Sequence, residues 1–153
     1  MQVIVTSQRM QLTRFADLGL RVLMYLTHEQ RETPVTNAEI ASQFQVPHNH
    51  VIKVVNKLGK LGWVDAQRGR GGGLRLRVPA SSLRLGKVLR ALESTLPLVD
   101  CDAPPCVLRQ RCSLKAVLDA AQKAFFDKLD EHTLADLAES RTSAVLLTLH
   151  RKY

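Results

Sequence analysis

The 153-residue chain is 45% hydrophobic and 24% charged, with a formal net charge of +8. That composition can fill a core, which excludes an intrinsically disordered chain and suits one domain with an appended helix. No apolar run nears the length of a membrane span, the longest being SAVLLTL near the C-terminus.

The opening MQVIVTSQR has no basic stretch leading into an apolar one, so a reducing cytoplasm is the expected compartment. There, clustered cysteines more often bind metal or react than form structural disulfides. Met10 opens MQLTRF, and residues 1–9 read as an upstream extension without a role.

The charge is unevenly placed. Between Ile40 and Leu92 stand ten basic residues and a single acid, Asp65, while the remainder carries twelve basic and thirteen acidic residues. The whole positive excess therefore lies in the middle third. A solvated face is the bland explanation of such a run, and a polyanion the functional one.

In chain order, TRFADLGLRVLMYLTHE predicts a buried helix capped by Thr13, with Phe15, Leu18, Val22 and Leu26 apolar. Asp17 falls in its first turn, where the helix dipole favours a carboxylate. PVTNAEIASQFQ predicts a short helix with Thr36 as N-cap and Glu39 as capping-box partner. After QVP, where Pro47 can precede a first helical turn without losing a needed N–H, Val51, Val54, Val55, Leu58 and Leu61 mark a second helix. Its outer face holds Asn49, Lys53, Asn56, Lys57 and Lys60. This is a helix-turn-helix pattern.

WVDAQ and LRLRV read as short strands joined by RGRGGG, with Arg68 and Arg70 at the tip and glycines free to take positive φ. A nucleotide-binding loop is the rival, but the stretch lacks a Lys-Ser/Thr pair and leads into a strand rather than a helix. A helix-turn-helix followed by a basic hairpin is a winged helix, whose second helix can enter the major groove while the wing meets phosphate or the minor groove. DNA binding thus outweighs the solvated face.

Downstream, SSLRLGKVLRALEST predicts one amphipathic helix halted before Pro97. Ser113 is the expected cap of a long helix, LKAVLDAAQKAFFDKLDEH, with Leu114, Val117, Leu118, Ala121, Phe125 and Leu129 along one stripe. That stripe exceeds what a small winged helix covers, so the helix is expected to pair with a second copy. A last short helix begins at Thr133 with Asp136 as capping partner, and the tail beyond Ser140 carries no clear pattern.

All three cysteines fall in CDAPPCVLRQRC, residues 101–112, spaced Cys-x4-Cys-x5-Cys. Pro104 and Pro105 keep the first interval out of a helix. Arg109, Arg111 and the adjacent helix N-terminus are expected to lower thiol pKa and favour the thiolate that ligates metal. An iron–sulfur cluster leads on spacing, with zinc and reactive thiols behind it; zinc usually has tighter Cys-x2-Cys pairs, and both zinc and a cluster need a further ligand. His132, the next histidine, is twenty residues beyond Cys112.

Together LTRFADLGLRVLMYL, RGRGGGLRL, the three-cysteine loop and TLADL resemble the NsrR branch of the Rrf-type winged-helix regulators, a family that also includes the cluster-biogenesis regulator IscR. The resemblance covers roughly residues 10–140. It implies a cytoplasmic, homodimeric, nitric-oxide-sensing repressor of nitrosative-stress genes that binds double-stranded operator DNA. It also implies an iron–sulfur cluster, 4Fe-4S ahead of 2Fe-2S, at Cys101, Cys106 and Cys112, with Asp17 of the other subunit completing the ligation. IscR-like members carry a histidine three residues after the last cysteine, where this chain has Lys115. Asn49 and Lys53 match base-reading positions of the family and Arg68 its wing arginine; Lys57, Lys60 and Arg70 suit phosphate by charge. Pro47 departs from the hydroxyl residue that relatives carry.

The expected fold is mainly α: a winged helix-turn-helix with a two-stranded wing over residues 1–90, then a cysteine loop, dimerisation helix and tail over 91–153. No enzyme is expected. The alternatives are an iron–sulfur-biogenesis or redox- and iron-responsive regulator of the same family, a zinc-stabilised interaction module, or a redox protein.

Overall fold

The computed structural model describes residues 11–28, 33–94, 97–139 and 141–151. The expected extension, residues 1–9, lies outside them. Among the described residues no helix is long and apolar enough to cross a membrane.

Helix α1, Arg14–Leu26, begins where Thr13 Oγ1 accepts from the Ala16 N–H at 3.1 Å. Ala16, Val22, Leu23 and Tyr25 are fully buried, which places α1 at the centre of the core. Each large apolar side chain so buried contributes roughly 1.5–3 kcal/mol relative to exposure. Gly19 permits the close approach of a later helix, since a Cβ there would stand 2.6 Å from Leu92 Cδ1.

Helix α2, Asn37–Gln43, is capped by Thr36 Oγ1, which accepts from the Glu39 N–H at 3.1 Å. The buried Glu39 carboxylate accepts from the Tyr25 hydroxyl at 2.5 Å, tying α2 to α1. Gln45 turns the chain with φ 52°, and Pro47 is the N-cap of helix α3, His48–Lys60. Val51, Val54, Val55 and Leu58 bury its inner face, as the helical spacing predicts.

Strands β1, Val64–Ala66, and β2, Leu74–Leu76, pair antiparallel with Val64 opposite Leu76 and Ala66 opposite Leu74. The Leu74 N–H donates to the Val35 carbonyl at 2.8 Å and anchors the base of this wing. The three consecutive glycines have a different role from the one expected. Only Gly71 takes positive φ, at 77°, and the other left-handed glycine of the turn is Gly69, at 97°. Gly72 and Gly73 are needed for close backbone approach: a Cβ on Gly73 would lie 2.4 Å from Pro34 Cβ and 2.8 Å from the Val35 carbonyl oxygen.

The single helix expected over SSLRLGKVLRALEST is divided. A 3-10 turn, Ala80–Ser82, precedes helix α4, Leu85–Leu92, and the two are separated by residues whose backbone pairs elsewhere. The Leu134 N–H donates to the Leu83 carbonyl and the Leu85 N–H to the His132 carbonyl, so a tertiary pairing takes the backbone groups that a continuous helix would use. Helix α4 ends at Glu93, four residues short of Pro97, so the proline is not its terminator.

Helix α5 spans Ser113–Asp130. Its N-cap is Cys112, whose Sγ accepts from the Lys115 N–H at 3.4 Å, rather than Ser113, which is the first helical residue. At the other end, Asp130 caps α4 from outside: its carboxylate accepts from the Lys87 N–H at 2.9 Å and from Arg90 Nη1 at 2.8 Å. Gly86 lets the two helices cross, because a Cβ there would meet the Phe126 carbonyl oxygen at 2.7 Å. Arg90 also lies over the Phe126 ring, 4.6 Å from its centroid.

Phe126 is the buried residue of α5; Leu114, Val117 and Phe125 of the expected stripe stay 64%, 65% and 50% exposed. Phe125 borders an open apolar groove of about 600 Å³ shared with α1 and α4, which Leu12, Leu20, Leu89 and Leu129 also line. Helix α6, Leu134–Ala138, has the expected capping box between Thr133 and Asp136. Helix α7, Arg141–His150, is an element the tail sequence did not announce. Mainly helical, with a two-stranded antiparallel wing, the chain has the winged-helix architecture expected of it.

Candidate DNA interface and cysteine loop

The apolar residues of α3 face α1 and α2, which leaves Asn49, Lys53, Asn56, Lys57 and Lys60 exposed on the opposite side. No acid stands in its first turn, and Lys57 and Lys60 occupy its last. Cations there are favoured by the helix dipole and also remain free to meet phosphate. Arg68 and Arg70 are exposed at the wing tip, as are Arg75 on β2 and Arg77 just beyond it. Asp65, the one acid of this region, is opposite Arg75 in the ladder and accepts from Gln67 Nε2 at 3.2 Å. Among the described residues no ion pair engages Lys53, Lys57, Lys60, Arg68 or Arg70.

Two residues of this face went unassigned in the sequence. His48 and His50 are both exposed in the first turn of α3, flanking Asn49. The first turn of a recognition helix is the part that reaches base edges, and imidazole can donate or accept there. The available signal was their position immediately after Pro47.

The cysteine loop connects α4 to α5. Asp100 Oδ1 accepts from the N–H groups of Asp102 and Ala103, at 2.9 and 3.2 Å, and the Cys106 N–H donates to the Cys101 carbonyl at 2.9 Å. These bonds fold the first interval back on itself, with a cis peptide before Pro104. The Arg109 N–H donates to the Cys106 carbonyl at 3.2 Å and carries the chain on toward Cys112 at the start of α5. All three thiols are free and half-buried.

Burial and then the Cys106 charge push the Cys101 thiol above its ordinary value, with Cys112 and Asp102 acting the same way and Lys115 opposing. For Cys101 this is opposite to the lowering expected from the arginines. Arg109 is spent on the Asp102 carboxylate at 3.1 Å, and the cation that bears on Cys101 is Lys115, itself paired with Asp119 at 2.5 Å.

Asp17 is not among the groups that act on Cys101. It sits in the first turn of α1, where its carboxylate accepts from Arg21 Nε at 3.1 Å and pairs with Arg21 Nη2 at 3.0 Å. Its side chain is 48% exposed. Within one chain, no three His, Cys, Asp or Glu side chains among the described residues form a grouping that could hold a metal ion. The donor set nevertheless fits an iron–sulfur group: three soft thiolate ligands on one loop, one of them held at a helix N-terminus.

Comparison with known proteins agrees with this geometry. A family model described as "Rrf2: Iron-dependent Transcriptional regulator" matches residues 12–140. The crystal structure of Staphylococcus aureus CymR is similar at a TM-score of 0.67 and 25% identity, over 82% of this chain and 96% of that one. The structure of Bacillus subtilis CymR, described as the global cysteine regulator, gives 0.62 and 24% over 85% and 97%. T. potens IscR gives 0.67 and 23% over 84% and 86%. The last two likenesses are of fold.

Proposed function

Since the chain belongs to the Rrf2 family of transcriptional regulators, we propose that it is a homodimeric repressor that senses nitric oxide through an iron–sulfur cluster. The family regulates transcription by binding DNA; its members are not enzymes. In this reading α3 enters the major groove, where Asn49 and Lys53 read bases and Lys57 and Lys60 meet phosphate. Arg68 and Arg70 bring the wing to the backbone or the minor groove. The exposed stripe of α5 packs on its counterpart in a second copy and closes the apolar groove.

Cys101, Cys106 and Cys112 would hold the cluster, with Asp17 of the second copy as the fourth, exchangeable ligand. When bound, a cluster with a weak carboxylate ligand supplies iron that nitric oxide can reach. The chain does the rest. The loop joins α4 to α5, α4 packs on α1 at Gly19, and α1 packs on α3, so a change in how the loop is held reaches the recognition helices. The dimer geometry that fits DNA is thereby favoured or lost, and repression of nitrosative-stress genes is kept or lifted.

The observation that carries this reading is the presence of three free, half-buried cysteines on the one loop between α4 and α5. Anaerobic purification tests it. Brown protein with iron and acid-labile sulfide in comparable amounts is expected, and loss of colour on replacing Cys101, Cys106 or Cys112 by alanine. Colourless protein with stoichiometric zinc would end it. A regulator of the same family responding to iron, cluster supply or redox state is the second reading, favoured by the family description as iron-dependent. Nitric oxide releasing operator DNA from the loaded protein, where oxygen and iron chelation do not, distinguishes the two.

A further inference from the structure

The family match ends at residue 140, and helix α7 begins at Arg141. Helix α7 therefore lies beyond the family match, yet it packs against the rest of the chain. Leu146 and His150 are buried, 5% and 7% exposed.

Its last turn is fastened to α1 and α2. Gln43 Nε2, on α2, donates to the Leu149 carbonyl at 3.0 Å. The His150 ring stacks on the Tyr25 ring of α1, with centroids 4.0 Å apart and planes at 21°, and His150 Nε2 lies 2.9 Å from the Tyr25 carbonyl oxygen. A carbonyl oxygen only accepts, so Nε2 is the protonated nitrogen in this contact. Both carbonyls belong to final helical turns. The ends of α1 and α7 are thus tied by contacts across helices.

Tyr25 is also the residue whose hydroxyl bonds Glu39 of α2, and its ring meets Phe44, the C-cap of α2, edge-on at 5.8 Å. Helices α1, α2 and α7 meet around one tyrosine. In a helix-turn-helix the first helix crosses the DNA backbone and sets the angle of the second. We infer that α7 is a brace, in which His150 and the Gln43–Leu149 bond hold α2 at the angle from which α3 discriminates DNA sequence. His150 and Gln43 are positioning residues, acting through α2 rather than touching the duplex. This rests on the DNA-reading role proposed for α3.

The test uses full-length protein and the variants Gln43→Ala and His150→Ala, with Val145→Ser on the exposed side of α7 as control. The DNA probes are a duplex selected by the wild type from a random-sequence pool and a scrambled duplex of equal length. Amide hydrogen exchange is followed over residues 37–60. Both variants should lose protection in α2, and their preference for the selected duplex should drop roughly two- to thirtyfold, while the control matches the wild type. Unchanged exchange in α2, or equal weakening on both duplexes, would overturn the brace. If the wild type itself selects no sequence, the functional reading fails instead, and exchange in α2 alone decides whether α7 holds it.

Discussion

The backbone N–H of Thr13 donates to Glu93 Oε1 at 2.8 Å, joining the residue that caps α1 to the residue that ends α4. The first turn of α1, which carries Asp17, is thereby registered against the segment that leads into the cysteine loop. Glu93→Ala leaves a partly buried N–H without its charged acceptor and should lower stability by about 1.5 kcal/mol. Glu93→Gln keeps an acceptor and should recover most of it. Urea midpoints of the two variants give the comparison; equal losses would show that the bond contributes nothing.

Acid sensitivity should concentrate at the α4–α5 crossing. The Arg90 guanidinium holds the Asp130 carboxyl below the ordinary carboxylate range, helped by the Lys87 N–H and by Arg84. Its stabilisation is therefore complete above the unfolded pKa and is lost as pH falls through the lowered folded value. Urea midpoints of the wild type should decline in that acid window, and Asp130→Asn should flatten the decline. A residual slope remains from Glu131 and Asp136, also lowered by Lys128 and by the Thr133 cap respectively. Parallel slopes in wild type and variant would contradict the assignment.

Neighbouring glycines in the wing should respond differently to alanine. Gly71 has φ 77° and open space around it, so Gly71→Ala costs only backbone strain, about 1–2 kcal/mol. Gly73 would drive a Cβ into Pro34 and the Val35 carbonyl oxygen, both part of the wing's anchor. Gly73→Ala should displace the wing base and weaken DNA binding as well as stability. Circular dichroism melts and duplex titrations of the two variants separate strain from displacement.

The sequence made the winged helix legible because its signals are local: the Thr36 cap, the valine spacing of α3, the basic glycine-rich hairpin. What it hid depends on distant partners. The 3-10 turn and α4 read as one helix because nothing near Leu83 reveals its pairing with Leu134. Cys112 was passed over as a cap for Ser113 because a thiol is a weak acceptor, yet its Sγ takes the Lys115 N–H. Helix α7 has little one-sided apolar pattern; its burial comes from Tyr25 and Gln43, more than a hundred positions away. The direction at Cys101 departs from expectation because Arg109 looks free in sequence and is paired with Asp102 in space. The arrangement of Asp17 toward a second copy is carried by resemblance alone.

On the proposed recognition face, Lys53 and Lys57 are both exposed and should behave differently. Lys53→Ala should weaken binding to a selected operator far more than to random duplex, as the loss of a base contact does. Lys57→Ala should weaken both alike and reduce the salt slope by roughly one phosphate contact. Titrations across a salt series distinguish them. Identical effects on both duplexes would mean that the base-reading and phosphate roles are wrongly divided.

Asp17 joins the two halves of the proposal. Within one chain its carboxylate forms a forked, exposed pair with Arg21 in the first turn of α1. If that were its whole role, Asp17→Ala would cost about 0.3–1 kcal/mol from the helix dipole and the ion pair, and nothing else. As a ligand supplied to the second copy, it must exchange Arg21 for the partner's cysteine loop. Asp17→Ala should then retain the fold and all three thiol ligands but shift the absorption and resonance Raman bands of the anaerobically purified protein. Its response to nitric oxide should change, and operator affinity of the loaded dimer should fall because the link between one loop and the other α1 is gone. An unshifted spectrum with a normal nitric-oxide response would return Asp17 to its pairing with Arg21, and the fourth ligand would have to be sought elsewhere.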